Sequence, residues 1–190
     1  MTPDHDAPVE TMWAGRFLTA KRRGRWEYVA RAHGIRAAVI LAIDNGHVIL
    51  IDQYRVPLGR RCLELPAGLI GDETAGEATE TAAMRELEEE TGYRAARIED
   101  CGEYWSSPGM VSESFTLVRA HGLTRTGSGG GVDGEDIVVH RVALSDVAAF
   151  VAARRGEDRD LAAGHDAFRL RLDAQRRRDE LRLLRRFADR

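Results

Sequence analysis

With 190 residues, 43% of them hydrophobic and 31% charged, the chain is sized for one well-buried domain and is not composed like a disordered, collagen-like or fibrous protein. A formal net charge of −3 argues against a nucleic-acid-coating protein. No apolar run approaches the roughly 20 residues of a bilayer span, and two cysteines, Cys62 and Cys101, make neither a disulfide framework nor a zinc cluster. The polar, acidic residues 1–10 do not read as a signal peptide, so a cytoplasmic setting is expected, with no nucleic acid and no membrane among the partners.

Residues 1–14 begin with two prolines and three acids within the first ten positions, and are expected to be a flexible N-terminus. Strand-like alternation starts at Phe17 and is clearest over residues 26–32. Two apolar runs, 37–43 and 47–54, flank Asn45-Gly46, the strongest short hairpin signal in the chain. A short strand over 62–65 is stopped by Pro66, and 67–76, with three glycines, reads as a loop. Residues 77–91 lack proline and glycine, are rich in helix formers, and end at Gly92, which predicts a helix. Strands follow over 97–104 and 113–120, then a flexible glycine-rich stretch, 126–134. A strand over 137–142 and a Ser145-capped helix over 145–154 complete a domain spanning residues 15–160. Strands interleaved with two helices predict a mixed α+β domain. Residues 161–190 form an arginine-rich tail, expected to be a solvated helix packing on its own domain or on a sister subunit.

The helix over 77–91 carries the chemistry. At about 100° per residue, Glu86, Glu89 and Glu90 share an arc of roughly 100°, and Glu88 points elsewhere. Met84 and Leu87 can face a core. Three carboxylates on one face repel each other, and a hard dication with oxygen ligands, Mg²⁺ or Mn²⁺, would relieve that repulsion. A plain solvated acidic face is the competing reading of the acids alone.

The spacing separates the two readings. Gly71, five residues, Glu77, seven residues, Arg85-Glu86-Leu87, one residue, Glu89-Glu90, one residue and Gly92-Tyr93 resemble the complete box of the Nudix hydrolases, enzymes that hydrolyse nucleoside diphosphates linked to another moiety. The resemblance runs from about residue 15 to about 154. It implies the Nudix fold, a mixed β-sheet sandwiched between helices. It also implies metal binding by Glu86, Glu89 and Glu90, with Arg85 holding the acids and Glu77 ordering the loop. The metals would sit on the pyrophosphate oxygens, polarise phosphorus and activate the attacking water.

Three further stretches resemble the ADP-ribose pyrophosphatase branch of that family: Leu63-Glu64-Leu65-Pro66-Ala67-Gly68, Ser106-Ser107-Pro108-Gly109, and Gln53-Tyr54-Arg55. The resemblance makes the Ala67 carbonyl a further metal ligand, and it makes Arg55, Glu64 and Pro108 substrate-binding residues. One departure is that Gly71 takes the box position usually held by the glycine of Pro-Ala-Gly. The expected reaction is ADP-ribose to AMP and ribose 5-phosphate. GDP-mannose or another nucleotide sugar is the alternative, and a non-catalytic ADP-ribose sensor is a third reading. Trp26 reads either as core or as an adenine-stacking ring, with Arg31 beside it, in a homodimer whose N-terminal strands pack across the two-fold axis. The general base is expected from the glycine-rich stretch, which would swing closed over substrate, with Glu135 first and Asp133 second.

Overall fold

The computed structural model describes residues 3–32, 35–71, 76–132 and 134–156. Its first three strands, Val9–Ala14 (β1), Leu18–Arg23 (β2) and Trp26–Arg31 (β3), form an antiparallel sheet of their own. Within the expected flexible N-terminus over 1–14, residues 9–14 are thus corrected to a strand. The β-branched and aromatic side chains Val9, Thr11 and Trp13 suit a strand once β2 supplies the ladder. Glu10 pairs with Arg22 at 2.8 Å, and the Asp4 carboxylate accepts from both the amide and the guanidinium of Arg25.

Arg36–Asp44 (β4) and His47–Arg55 (β5) turn back at Asn45 and Gly46, both in left-handed backbone, with φ of 46° and 76°. They pair only next to the turn, Ile43 opposite Val48 and Asp44 opposite His47, and then splay apart. Into the gap come Arg60–Glu64 (β6), paired with β5, and Ala67–Ile70 (β7), paired with β4, joined through Pro66, whose carbonyl accepts the Ile40 N–H at 2.8 Å. The strand β7 corrects the expected 67–76 loop. Its backbone is drawn out by residues 36–39 across the ladder, a partner its own sequence does not reveal.

The helix Thr79–Thr91 (α1) follows, and Tyr93–Arg94 (β8) pairs with Thr124–Arg125 (β11). Arg97–Trp105 (β9), Ser114–His121 (β10) and Val138–Ala143 (β12) complete a seven-stranded sheet with the path β12-β5-β4-β10-β9, mixed because β10 runs parallel to β4. The last described helix is Val147–Gly156 (α2). Ser145 does not cap it. Its hydroxyl donates to the Asp146 carboxylate, and the Asp146 carbonyl accepts the first helical N–H, from Phe150.

Both faces of the long strands are covered, which explains their unbroken apolar runs. Ala38, Ile40, Ala42 and Ile49 meet Ala82, Ala83 and Leu87 of α1, whereas Leu41, Val48 and Leu50 meet Phe150 and Val151 of α2. This is the mixed sheet between helices that the family resemblance implied. Cys62 is buried in it, whereas Cys101 is only half-buried. No helix among the described residues is long and apolar enough to cross a membrane. The expected tail helix, 161–190, and Asp133 lie outside the described residues.

Leu87 has no exposed surface and anchors α1 to the sheet. Leu87→Ala is expected to cost about 3 kcal/mol, as large-to-small core substitutions do, read as a lower denaturant midpoint at constant slope. An unchanged midpoint would mean that α1 is held by its polar contacts instead.

Candidate active site

The first residues of β7 lie against the second half of α1, and there the backbone of one meets the carboxylates of the other. The Ala67 N–H donates to Oε2 of Glu90 at 2.9 Å. Gly68 approaches Glu86 so closely that a Cβ would overlap that side chain, so glycine is what lets the two elements meet. Glu90 is only 5% exposed. Burial pushes its carboxyl up to about 8, the charges of Glu86 and Glu135 push the same way, and the Ala67 N–H and Arg55 offset only part of the rise.

Arg85 gathers the other acids. Its Nη1 lies 3.0 Å from Glu86 Oε1 and 3.3 Å from Glu89 Oε2, and its Nε lies 3.6 Å from Glu77 Oε1. This is the acid-holding position expected of it. Among the described residues no three acidic, histidine or cysteine side chains close onto one point as a metal cage. Arg85 stands between Glu86 and Glu89, and Glu90 is turned to the Ala67 amide. The donor chemistry does fit a hard dication. Every side-chain donor is a carboxylate oxygen, and a carboxyl that burial, helped by like charges, keeps protonated is a place where a dication can replace the proton.

Where β5 pairs with β6, Arg55 donates through Nε and Nη2 to both oxygens of Glu64, at 2.8 and 2.5 Å. Glu64 is buried, and its pair holds the Arg55 guanidinium near enough to Glu90 for the two charges to interact. The structure thus brings Arg55, Glu64, Ala67, Glu86, Glu89 and Glu90 to one region.

The glycine-rich stretch is hydrogen-bonded to the end of α1 in this structure. The last carbonyls of a helix have no partner within it, and here this stretch supplies one for two of them and one for the Gly92 carbonyl just beyond. Gly130 N–H donates to Glu90 O, Gly131 N–H to Glu89 O, and Thr126 N–H to Gly92 O, at 2.9, 3.0 and 2.7 Å. A Cβ on Gly129 would overlap the Thr91 backbone, so its glycine serves close approach as well as its left-handed φ of 68°. Glu88, read as an outward acid, is part of the same seam, with its carboxylate paired to Arg94 and accepting the Thr126 hydroxyl. Glu135 follows on this anchored stretch. It accepts the Val132 N–H at 3.0 Å and lies within electrostatic reach of Glu90.

Trp26 and Arg31 stand at the two ends of β3, and Pro108 lies on the 107–112 turn. The 107–112 turn that carries Pro108 is bonded to β3 through Val29, which donates to the Met110 carbonyl and accepts the Ser112 N–H. Arg31 pairs with Glu113 at 2.5 Å and lines a concavity of about 540 Å³ with Lys21 and Arg36. Trp26 is 57% exposed and so is not a core residue. Sequence reasoning missed Asp52, Arg61 and Asp136, which are far apart in the chain and are joined only by the fold.

A family model describing the NUDIX domain matches residues 32–161. The chain is 35% identical over 127 residues to an ADP-ribose pyrophosphatase of Bacillus subtilis, a match covering 66% of this chain and 67% of that protein. It is 34% identical over 122 residues to a GDP-mannose pyrophosphatase of Pectobacterium atrosepticum, covering 60% and 61%. Across eight of the curated relatives it matches, the aligned part spans from 28% to 67% of their length. A crystal structure of an ADP compounds hydrolase superposes with a TM-score of 0.60 at 23% identity, over 80% of this chain and 95% of that one, a likeness of fold.

Glu90 keeps its proton up to about 8 in the folded chain, against 4.5 when unfolded. The folded state therefore holds the extra proton between those values, and its stability falls as pH rises through that window, by on the order of a few kcal/mol. Chemical denaturation of chelator-treated protein at pH about 5 and about 9 is expected to show that loss, with Glu90→Gln removing most of it. An identical loss in the variant would assign the proton to another group.

Proposed function

Because the chain belongs to the Nudix hydrolase family, we propose that it hydrolyses the pyrophosphate bond of a nucleoside diphosphate sugar, cleaving ADP-ribose to AMP and ribose 5-phosphate. The observation that carries this reading is the buried carboxyl of Glu90, set against the β7 backbone with Glu86, Glu135 and the Arg55–Glu64 pair around it. Glu86, Glu89, Glu90 and the Ala67 carbonyl would hold Mg²⁺ or Mn²⁺, which when bound neutralises pyrophosphate oxygens and acidifies a coordinated water.

The remaining roles fall to the chain itself. Glu64 occupies Nε and Nη2 of Arg55, which leaves Nη1 to meet a phosphate oxygen. Glu135 takes the proton of the water that adds to phosphorus, with Asp133 as the second candidate. The bridging P–O bond breaks, and each product keeps one phosphate. The exposed ring of Trp26 supports stacking on adenine, and Arg31 and Pro108 are further candidate substrate contacts. Exposed Trp13, Phe17 and Trp26 on or beside the N-terminal sheet support a homodimer in which Trp26 of one chain reaches the site of the other, working in the cytoplasm.

The GDP-mannose relative supports a second reading, with the same acids and a different base and sugar. A panel of nucleoside diphosphate sugars assayed with Mg²⁺ separates them. ADP-ribose is expected to give AMP, chelation to abolish turnover, and Glu90→Gln to lower kcat by ~100-fold or more with the fold kept. Turnover of GDP-mannose with ADP-ribose inert would install the second reading. Binding of ADP-ribose with no turnover under either metal would make the domain a sensor.

A further inference from the structure

Arg61 stands outside the box, and no motif singles it out. It sits on β6, three residues before Glu64, and its guanidinium touches four oxygens on two other segments. Nε and Nη2 donate to Oδ1 and the carbonyl of Asp52 on β5, at 2.9 and 2.6 Å. Nη1 and Nη2 donate to Oδ2 and the carbonyl of Asp136, at 2.6 and 2.8 Å. Asp52 is a firm anchor. Its side chain is 6% exposed, and its Oδ2 lies 3.9 Å from both His140 Nε2 and Arg154 Nη1, which ties it to β12 and α2.

Asp136 is different. Its side chain is 74% exposed, and an ion pair that open contributes little by itself. Its backbone is left-handed, with φ of 50°, a conformation that Asp adopts more readily than most non-glycine residues. Arg61 holds it by side chain and main chain together. The neighbouring residue is Glu135, whose loop is tied to the end of α1 on its other side by the Gly130 and Gly131 amides. The loop is therefore held at both ends, on this side by Arg61 together with Ile137, which is buried, donates its N–H to the Gly130 carbonyl and leads into the β12–β5 ladder. Only an arginine fork spans four such acceptors, and a lysine cannot.

We propose that Arg61 is the positioning residue for Glu135, gripping Asp136 from the rigid β5–β6 ladder so that the adjacent carboxylate stays at the acid cluster. This rests on the reading of Glu135 as the proton acceptor. Misplacing such a group by about 1 Å costs up to ~100-fold in rate.

The test compares Arg61→Gln, Arg61→Lys, Glu135→Gln and the Arg61→Gln/Glu135→Gln double variant in the full chain, with ADP-ribose and Mg²⁺. It reads kcat and KM separately, together with amide hydrogen exchange. Arg61→Gln is expected to lower kcat about 10- to 100-fold with KM within about 3-fold, Arg61→Lys to recover only part of that, and the double variant to be no slower than Glu135→Gln alone. Amides of residues 130–137 are expected to exchange faster in Arg61→Gln, with those of β4, β5 and α1 unchanged. Losses that multiply in the double variant, or exchange over 130–137 that matches the parent, would overturn the proposal. Glu135→Gln at parental kcat would remove the base reading, while exchange over 130–137 still decides whether Arg61 pins the loop. If Arg61→Gln does not fold, Asp136→Gly serves. It tolerates the left-handed backbone and deletes the carboxylate while keeping the main-chain bond, and it is expected to show a kcat loss and faster local exchange in the same direction but smaller, with parental values for both overturning the proposal.

Discussion

A carboxyl buried as deeply as Glu90 must have a hydrogen-bond donor, and the site is built around supplying one. The donor is the Ala67 amide, free to turn toward the helix because β7 is short and has a partner strand on its other side. To bring that amide within 2.9 Å, the next residue has to lie flat against the helix, and Gly68 does so by having no side chain to collide with Glu86. The wedge of β6 and β7 between the splayed ends of β4 and β5 carries the same constraint back into the sheet. If the hairpin stayed paired along its length, there would be no room for the strand that meets α1.

The central hairpin is legible from the sequence, because Asn45-Gly46 is local turn chemistry between two apolar runs. The acid face of α1 is legible for a similar reason, since helical periodicity alone places Glu86, Glu89 and Glu90 together. The strand β7 is not, because Ala67-Gly68-Leu69-Ile70 has no alternation of its own and becomes a strand only by pairing with residues 36–39. The N-terminal strand β1 is hidden in the same way behind two prolines and a run of acids. Arg61 is the extreme case. Its acceptors lie 9 and 75 residues away, and nothing in its neighbours marks it.

The glycine-rich stretch shows how composition misleads when only flexibility is read from it. Gly129, Gly130 and Gly131 have positive φ, and two of their amides close the ladder of α1 beyond its last turn. With Thr126 and Glu88 adding a side-chain bond, the segment behaves as a cap on the helix. The acids on that helix and Glu135 on the segment then belong to one mechanical unit, with the α2 side of the sheet holding its far edge through Arg61 and Asp52.

The proton on Glu90 has a thermodynamic consequence of its own. A cation that takes this carboxylate as a ligand must first expel the proton, so two particles exchange where one seems to bind. Below a pH of about 8 the apparent affinity then climbs by up to about tenfold for each pH unit, and the heat of a metal titration changes with the ionisation enthalpy of the buffer that receives the proton. With a cation bound there, a single buried oxygen pair would couple occupancy of the site to the acidity of its surroundings, without any moving part.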